Sequence, residues 1–217
     1  MHQNSFGGRL FFLCFSIVIN TFFNALSVVT NMGSAVWTAS ATNLSEWSGF
    51  SLGNVLMMMG VIVAIANLLL IQKFDYLRLI RNLLFVFPFS YLLQFWRDWF
   101  VSIGVPSMAL AWKIILDIIA IVGVSLAVSL YQRSNLIIHP NDDLPYILRF
   151  KFMHGNSVLS QWTSNIPPIL IIIISAIATH KLYAVNIGTV LSVAFQGYLI
   201  GWGDQHFFRG LKHHVNF

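Results

Sequence analysis

The stretch Leu52–Ile71, LGNVLMMMGVIVAIANLLLI, runs for 20 residues without one charge. As a helix rising 1.5 Å per residue it covers about 30 Å, the thickness of a bilayer's hydrocarbon core. A barrel strand would alternate apolar and polar residues, whereas Ile62-Val63-Ala64-Ile65 is continuous. The same holds from Ile169 to Ile174. A membrane-spanning helix is the reading that fits, and five more segments share its character, near 10–29, 79–96, 108–130, 158–179 and 182–202.

Composition agrees. Of 217 residues 57% are apolar and 9% charged, with a mean hydropathy of +0.75; ordinary soluble domains carry about 25% charged residues. A soluble fold lacks the polar shell to cover so much apolar surface, which excludes a cytosolic enzyme, a disordered tail and a disulfide-rich secreted module. The formal charge of +5 and pI near 9.6 are assigned to basic loops beside anionic lipid, with no nucleic-acid partner implied. The single cysteine, Cys14, lies in an apolar run, and no CxxC or paired-ligand spacing points to a metal or cofactor. His213 and His214, adjacent and off a common helix face, read as a solvated basic tail.

Placing the N-terminus in the cytoplasm puts Arg9, Lys73, Arg78, Arg81, Arg133, Arg149, Lys151, Arg209 and Lys212 inside. Arg97, Lys113 and Lys181 then fall outside, nine against three, so both termini are expected to be cytoplasmic. Trp37, Trp47, Trp96, Trp99, Trp112 and Trp202 stand at or near span ends, where interfacial indoles belong. The first apolar run is too long for a signal peptide and lacks a convincing cleavage site, so it is expected to persist as a helix.

Two connections break the pattern. Residues 31–43 are small, polar and uncharged, suited to a short helix or re-entrant turn at partial membrane depth. Residues 134–143 end in Pro140-Asn141-Asp142-Asp143, a helix start. Shifting the chain by 102 residues pairs Ile19 with Ile121, Ala25 with Ala127, Ser27 with Ser129 and Gly53-Asn54 with Gly155-Asn156. A shift of 106 then pairs Phe89 with Phe195, Trp96 with Trp202 and Asp98 with Asp204. The expected fold is one all-α integral membrane domain over 1–217, with six transmembrane helices as two inverted three-helix repeats. Each repeat carries a short broken helix after its first span. Repeat 1 covers about 9–96, a linker 97–107, repeat 2 about 108–204, and a cytoplasmic tail 205–217.

The chain resembles the YczE-like (YczE/YyaS/YitT) family of bacterial multi-pass membrane proteins. In that family a first span leads through Leu-Gly into Pro-Trp-Asp, and the pattern recurs with Gly-Thr before the last span. Met32-Gly33 and Val36-Trp37-Thr38 resemble the first copy, with Val36 and Thr38 in place of proline and aspartate. Pro140, Asp142, Gly53, Gly155 and Gly188-Thr189 match elsewhere, while Asn135 replaces a glycine. The resemblance implies the architecture and a bacterial inner-membrane location, and no reaction or substrate.

Candidate chemistry centres on polar groups at membrane depth. Asp117 is the only acid inside an apolar span, where a carboxylate suggests an ion or substrate path. The competing reading pairs it with Lys113, one helical turn away. Asn20, Asn24 and Asn31 share roughly one face of the first span, fit either to bind a neutral solute or to hold helices together. Gln161, Trp162, Ser164 and Asn165 precede Pro167-Pro168, which should kink the fifth span. His139 with Asp142 and Asp143 forms either a polar cluster or a capped helix start.

The expected ligand site lies between the halves, with Asn24, Gly33, Ser34 and Trp37 on one side and His139, Asn156, Gln161 and Asn165 on the other, joined by Asp117 if Lys113 points away. No nucleophile, acid–base pair, Walker or zinc motif is present, so no catalytic or metal-binding residues are assigned and an enzyme is not expected. Two functions stay open: a small-solute permease, or substrate-binding membrane subunit, for a neutral or weakly polar solute; and a non-transporting accessory or regulatory protein that binds another membrane protein. The lipid bilayer is the expected partner throughout, with a homo-oligomer possible in either case. A polar cavity between the halves distinguishes the first from the second.

Overall fold

The structure is a computed structural model that describes residues 4–72, 75–154 and 156–212. Among the described residues eight α-helices follow one another: α1 (Phe6–Thr30), α2 (Val36–Ser48), α3 (Leu52–Ile71), α4 (Tyr76–Ser102), α5 (Leu110–Ser134), α6 (Pro140–Ile147), α7 (Ser157–Thr179) and α8 (Ile187–His206). A 3₁₀ turn (Val105–Ser107) precedes α5, and a π turn (Leu148–Phe152) extends α6. Among the described residues there is no strand. Gly155, Lys73 and the His213–His214 pair, singled out above, lie outside the described residues.

Local chemistry sets the ends. Ser5, Ser51, Asp75 and Asn156 each accept a backbone N–H three residues on, supplying one of the orphan donors of the first turn in α1, α3, α4 and α7. His139 Nδ1 accepts the N–H of Asn141 at 3.2 Å, and Pro140 occupies the first helical position of α6. Asn31 and Asn135 close α1 and α5 in the left-handed conformation, φ 55° and 46°. Thr30 and Ser134 end these helices, and Val36 and Pro140 begin the next pair, each pair 104 residues apart. That is two more than the ungapped shift of 102 found in the sequence.

α1, α3, α4, α5 and residues 159–179 of α7 are long and apolar enough to cross a membrane. Their burial pattern is the reverse of a soluble domain. Ile62, Leu69 and Ile177 point outward, 65%, 71% and 68% exposed, while Ser16, Thr21, Ser125 and Ser129 are fully buried. Apolar groups are at no disadvantage against lipid tails, and backbone and hydroxyl groups must be satisfied inside. Ser16, Thr21 and Ser125 do so by bonding carbonyls three or four residues back, at 2.7 to 2.9 Å.

α1 packs along α5 and α4 at the centre, and α5 also carries α8. α3 lies on α4, α2 and α6; α7 lies on α2 and α6. The core formed by Ala25, Val55, Phe85, Leu93 and Ala120 is fully buried. α7 and α8 make almost no contact with each other, and only 17% of the apolar stretch of α7 is buried against 67% in α1.

The sequence places the last span at 182–202, but α8 begins only at Ile187. Residues 183–184 instead bind the α1–α2 region: Asn31 Oδ1 accepts the Ala184 N–H at 2.6 Å, and the Asn43 amide exchanges two bonds with Tyr183. At this same end Arg97 faces Glu46 at 3.6 Å. The opposite end is tied by cations. Arg9 donates to the carbonyls of Ser134 and Asn135 at 2.7 and 2.8 Å, Lys151 reaches the Ile71 carbonyl, and Arg78 grips Asp143.

Candidate functional site

A cavity of about 420 Å³ lies among the helices, with every one of the eight contributing to its wall. On one side α1 presents Asn20 and Asn24, whose amides bond to each other at 2.5 Å, and Thr38 of α2 donates to Asn24 Oδ1 at 3.1 Å. Trp37, half-buried on α2, adds an indole face. Across from these stand Gln161 and Asn165 of α7 with Ser192 and Gln196 of α8, the last two joined at 3.2 Å. Phe85 and Phe89 of α4 line the apolar wall and hold the His139 ring edge-to-face at 5.2 and 4.8 Å.

The wall near α6 is more polar. Tyr131 donates to Asp142, and Asn141 has its Oδ1 buried with no hydrogen-bond partner among the described residues. Burial pushes the Asp142 carboxyl up to about 6, a rise the Tyr131 hydrogen bond reduces and Asp143 adds to. Burial lowers His139 to about 3, so its ring is neutral and serves as an acceptor. Arg149 also borders the cavity.

Five of the nine candidate residues meet at this cavity: Asn24, Trp37, His139, Gln161 and Asn165. The other four do not line it. Asn156 is exposed and caps α7, its side chain accepting the Leu159 N–H at 3.0 Å. Gly33, at φ 134°, is pressed against the start of α8, where a Cβ would stand 2.7 Å from Gly188 Cα. Ser34 bonds the Ala184 carbonyl through both its N–H (2.9 Å) and its hydroxyl (3.3 Å). Glycine and serine in the α1–α2 break therefore serve close packing.

Asp117 is buried away from the cavity and receives hydrogen bonds from Ser27 at 2.8 Å and Thr30 at 3.2 Å. Lys113 is half-exposed, and among the described residues no ion pair within 4 Å joins it to Asp117. The local pairing anticipated from their i, i+4 spacing is thus replaced by hydroxyls from α1.

Sequence reasoning passed over Gln132, Asn141, Ser192 and Gln196 as wall residues. Ser192 and Gln196 carried a usable signal, two polar groups at i, i+4 in an apolar run. Arg133 was counted among loop cations, yet it is 1% exposed and donates to the carbonyls of Phe207, Phe208 and Leu211 at 2.8 to 3.2 Å.

Outward-facing apolar helices around a part-polar cavity define a multi-pass helical membrane protein. A family model described as a family of unknown function (DUF6198) matches residues 7–205, and the chain belongs to that family. No curated protein and no solved structure matches the chain.

Proposed function

We propose that the protein is a small-solute permease, or the substrate-binding membrane subunit of a transporter, for a neutral or weakly polar solute. The observation that carries this reading is the cavity. Its volume falls in the range of about 300–1,000 Å³ common to small-molecule sites, and its wall is mostly uncharged amides, hydroxyls, one indole and apolar surface, with Asp142, bonded by Tyr131, and Arg149 at the α6 side. A tightly packed centre would have favoured the accessory role.

The reading includes α8 as a sixth span and two inverted repeats, α1–α4 and α5–α8. Support comes from the packing: α1 on α4 matches α5 on α8, α2 on α7 matches α6 on α3, and α2 on α3 matches α6 on α7. The largest departure is α3 on α4, which has no counterpart between α7 and α8. α8 is 20 residues long, and Gln196, Gly197, Gly203 and Asp204 dilute its apolarity where it borders the cavity or α5. The cation-rich end belongs on the cytoplasmic side of the inner membrane by the positive-inside rule, with both termini there. Kinship with the YczE-like proteins is part of the same proposal.

The test is thermal stabilisation of the purified protein by a panel of neutral polar solutes, since a ligand of the folded state raises the midpoint by mass action. A stabilising solute should lose its effect in Gln161→Ala, at an exposed position of α7, and in Trp37→Phe, which keeps an aromatic ring against the core and removes the indole N–H. It should also be taken up by proteoliposomes. Equal stabilisation in both variants would refute the site.

A further inference from the structure

Asp117 carries an observation that the permease reading does not use. Five oxygen-bearing groups converge where α1 ends: the Asp117 carboxylate, the hydroxyls of Ser27 and Thr30, the Gly33 carbonyl in the break, and the Ser27 carbonyl. The Ser27 hydroxyl is within bonding reach of both Gly33 O and Asp117, and the Thr30 hydroxyl of both Ser27 O and Asp117. Two hydroxyl protons cannot serve four acceptor contacts at once. The cluster has more lone pairs than protons, and among the described residues no cationic side chain pairs with its carboxylate. The carboxyl end of α1 adds the negative pole of a helix dipole, offset in part by the first turn of α8, where Gly188 lies against Asp117 Oδ2.

A second observation marks a space beside these oxygens. Of these groups Ser27 lines a partly enclosed void of about 10 Å³, about the size of one water, whose other walls are Asn24, Ala35, Ile121, Val124, Ser192 and Gln196. Asn24, Ala35, Val124, Ser192 and Gln196 also line the main cavity, so the void adjoins that cavity and Ser27 connects it to Asp117.

We propose that Asp117, Ser27, Thr30 and the Gly33 carbonyl form a binding site for a monovalent hard cation, sodium. An all-oxygen donor set suits a hard ion. One carboxylate neutralises one positive charge, and a divalent ion would leave a net charge buried at membrane depth. Broken-helix carbonyls next to an acid supply such ions with ligands in place of water. The site's coupling to a solute rests on the permease reading; its occupancy by sodium does not.

The experiment compares thermal midpoints of the full-length purified protein in sodium chloride and choline chloride at constant ionic strength. Sodium should raise the midpoint saturably, and Asp117→Asn should remove the rise. Should Asp117→Asn fail to fold, Ser27→Ala and Thr30→Ala keep the acid and should each weaken apparent sodium affinity tenfold or more. Identical midpoints in the two salts, or a sodium response unchanged in all three variants, would overturn the proposal. Stabilisation by sodium without any solute response leaves this site standing and removes the permease; a solute response without a sodium effect does the reverse.

Discussion

The contact between α3 and α4 allows a quantitative test of packing in the first half. A Cβ placed on Gly60 would lie 2.6 and 2.8 Å from the two methyls of Val86 and 3.3 Å from its Cβ. Carbon atoms prefer about 3.5–4.0 Å, so the helices must part by nearly 1 Å or Val86 must turn. Val86 is 1% exposed and β-branched, with one favoured rotamer in a helix, so turning is blocked. Gly60→Ala should therefore fall in the overpacking range of about 1–3 kcal/mol, near 2, roughly a thirtyfold loss in the folding constant. Val86→Ala alone should cost about 1 kcal/mol, mostly lost contacts, since lipid surroundings give no hydrophobic term between helices. In the double variant the new methyl fills the space the valine vacates. The expected cost is then about 1 kcal/mol, against about 3 if the sites were independent. Reversible unfolding in mixed micelles, followed by circular dichroism, measures all four proteins. Additivity within about 0.5 kcal/mol would refute the contact.

Other outcomes follow from the same structure. In a Cys14→Ala background, cysteines at exposed Ser48 or Ser107 should react with an impermeant thiol reagent from outside intact cells, and one at exposed Gln205 should not; the opposite pattern reverses the topology. Arg133→Ala strands three carbonyls and the neighbouring Asp204, and should destabilise by about 3 kcal/mol with early proteolysis near residue 207. Arg133→Lys should not rescue it, because one ammonium cannot reproduce the guanidinium fork. Asp142 is held near 6 when folded against an ordinary value of 3.8, so the folded state binds its proton more tightly. Its contribution to stability is therefore full below about pH 4 and is lost as pH rises through about 6. Asp142→Asn should flatten that part of a stability–pH curve, and an unchanged curve would show that another group sets it.

The helices were legible because a bilayer imposes a length on every apolar run, as with Leu52–Ile71, which the structure reproduces residue for residue. The start of α8 was not. Leu182-Tyr183-Ala184-Val185 is apolar enough to join the span, but its backbone answers Asn31 and Asn43, contacts made over 140 to 153 residues. Asn24, Trp37, Gln161 and Asn165 could be picked out as polar or aromatic groups near a break. Gly33 and Ser34 share that pattern and serve a close helix approach instead. Asp117 shows the limit most plainly: its local neighbour Lys113 was visible in the sequence, whereas Ser27 and Thr30 reach it from 90 and 87 residues away.

The pairing of α1 with α5 also sets an order of events during synthesis. The polar face of α1, with Ser16, Asn20, Asn24, Ser27 and Thr30, finds much of its cover on a helix that begins at Leu110. At about 5–20 residues per second, α1 is complete for several seconds before α5 leaves the ribosome. Through that interval Ser27 and Thr30 lack Asp117, and Arg9 lacks the carbonyls of Ser134 and Asn135 that will hold it. α1 is thus completed only after α5, and the newborn α1–α4 segment is a natural client for whatever shelters polar helices in the membrane.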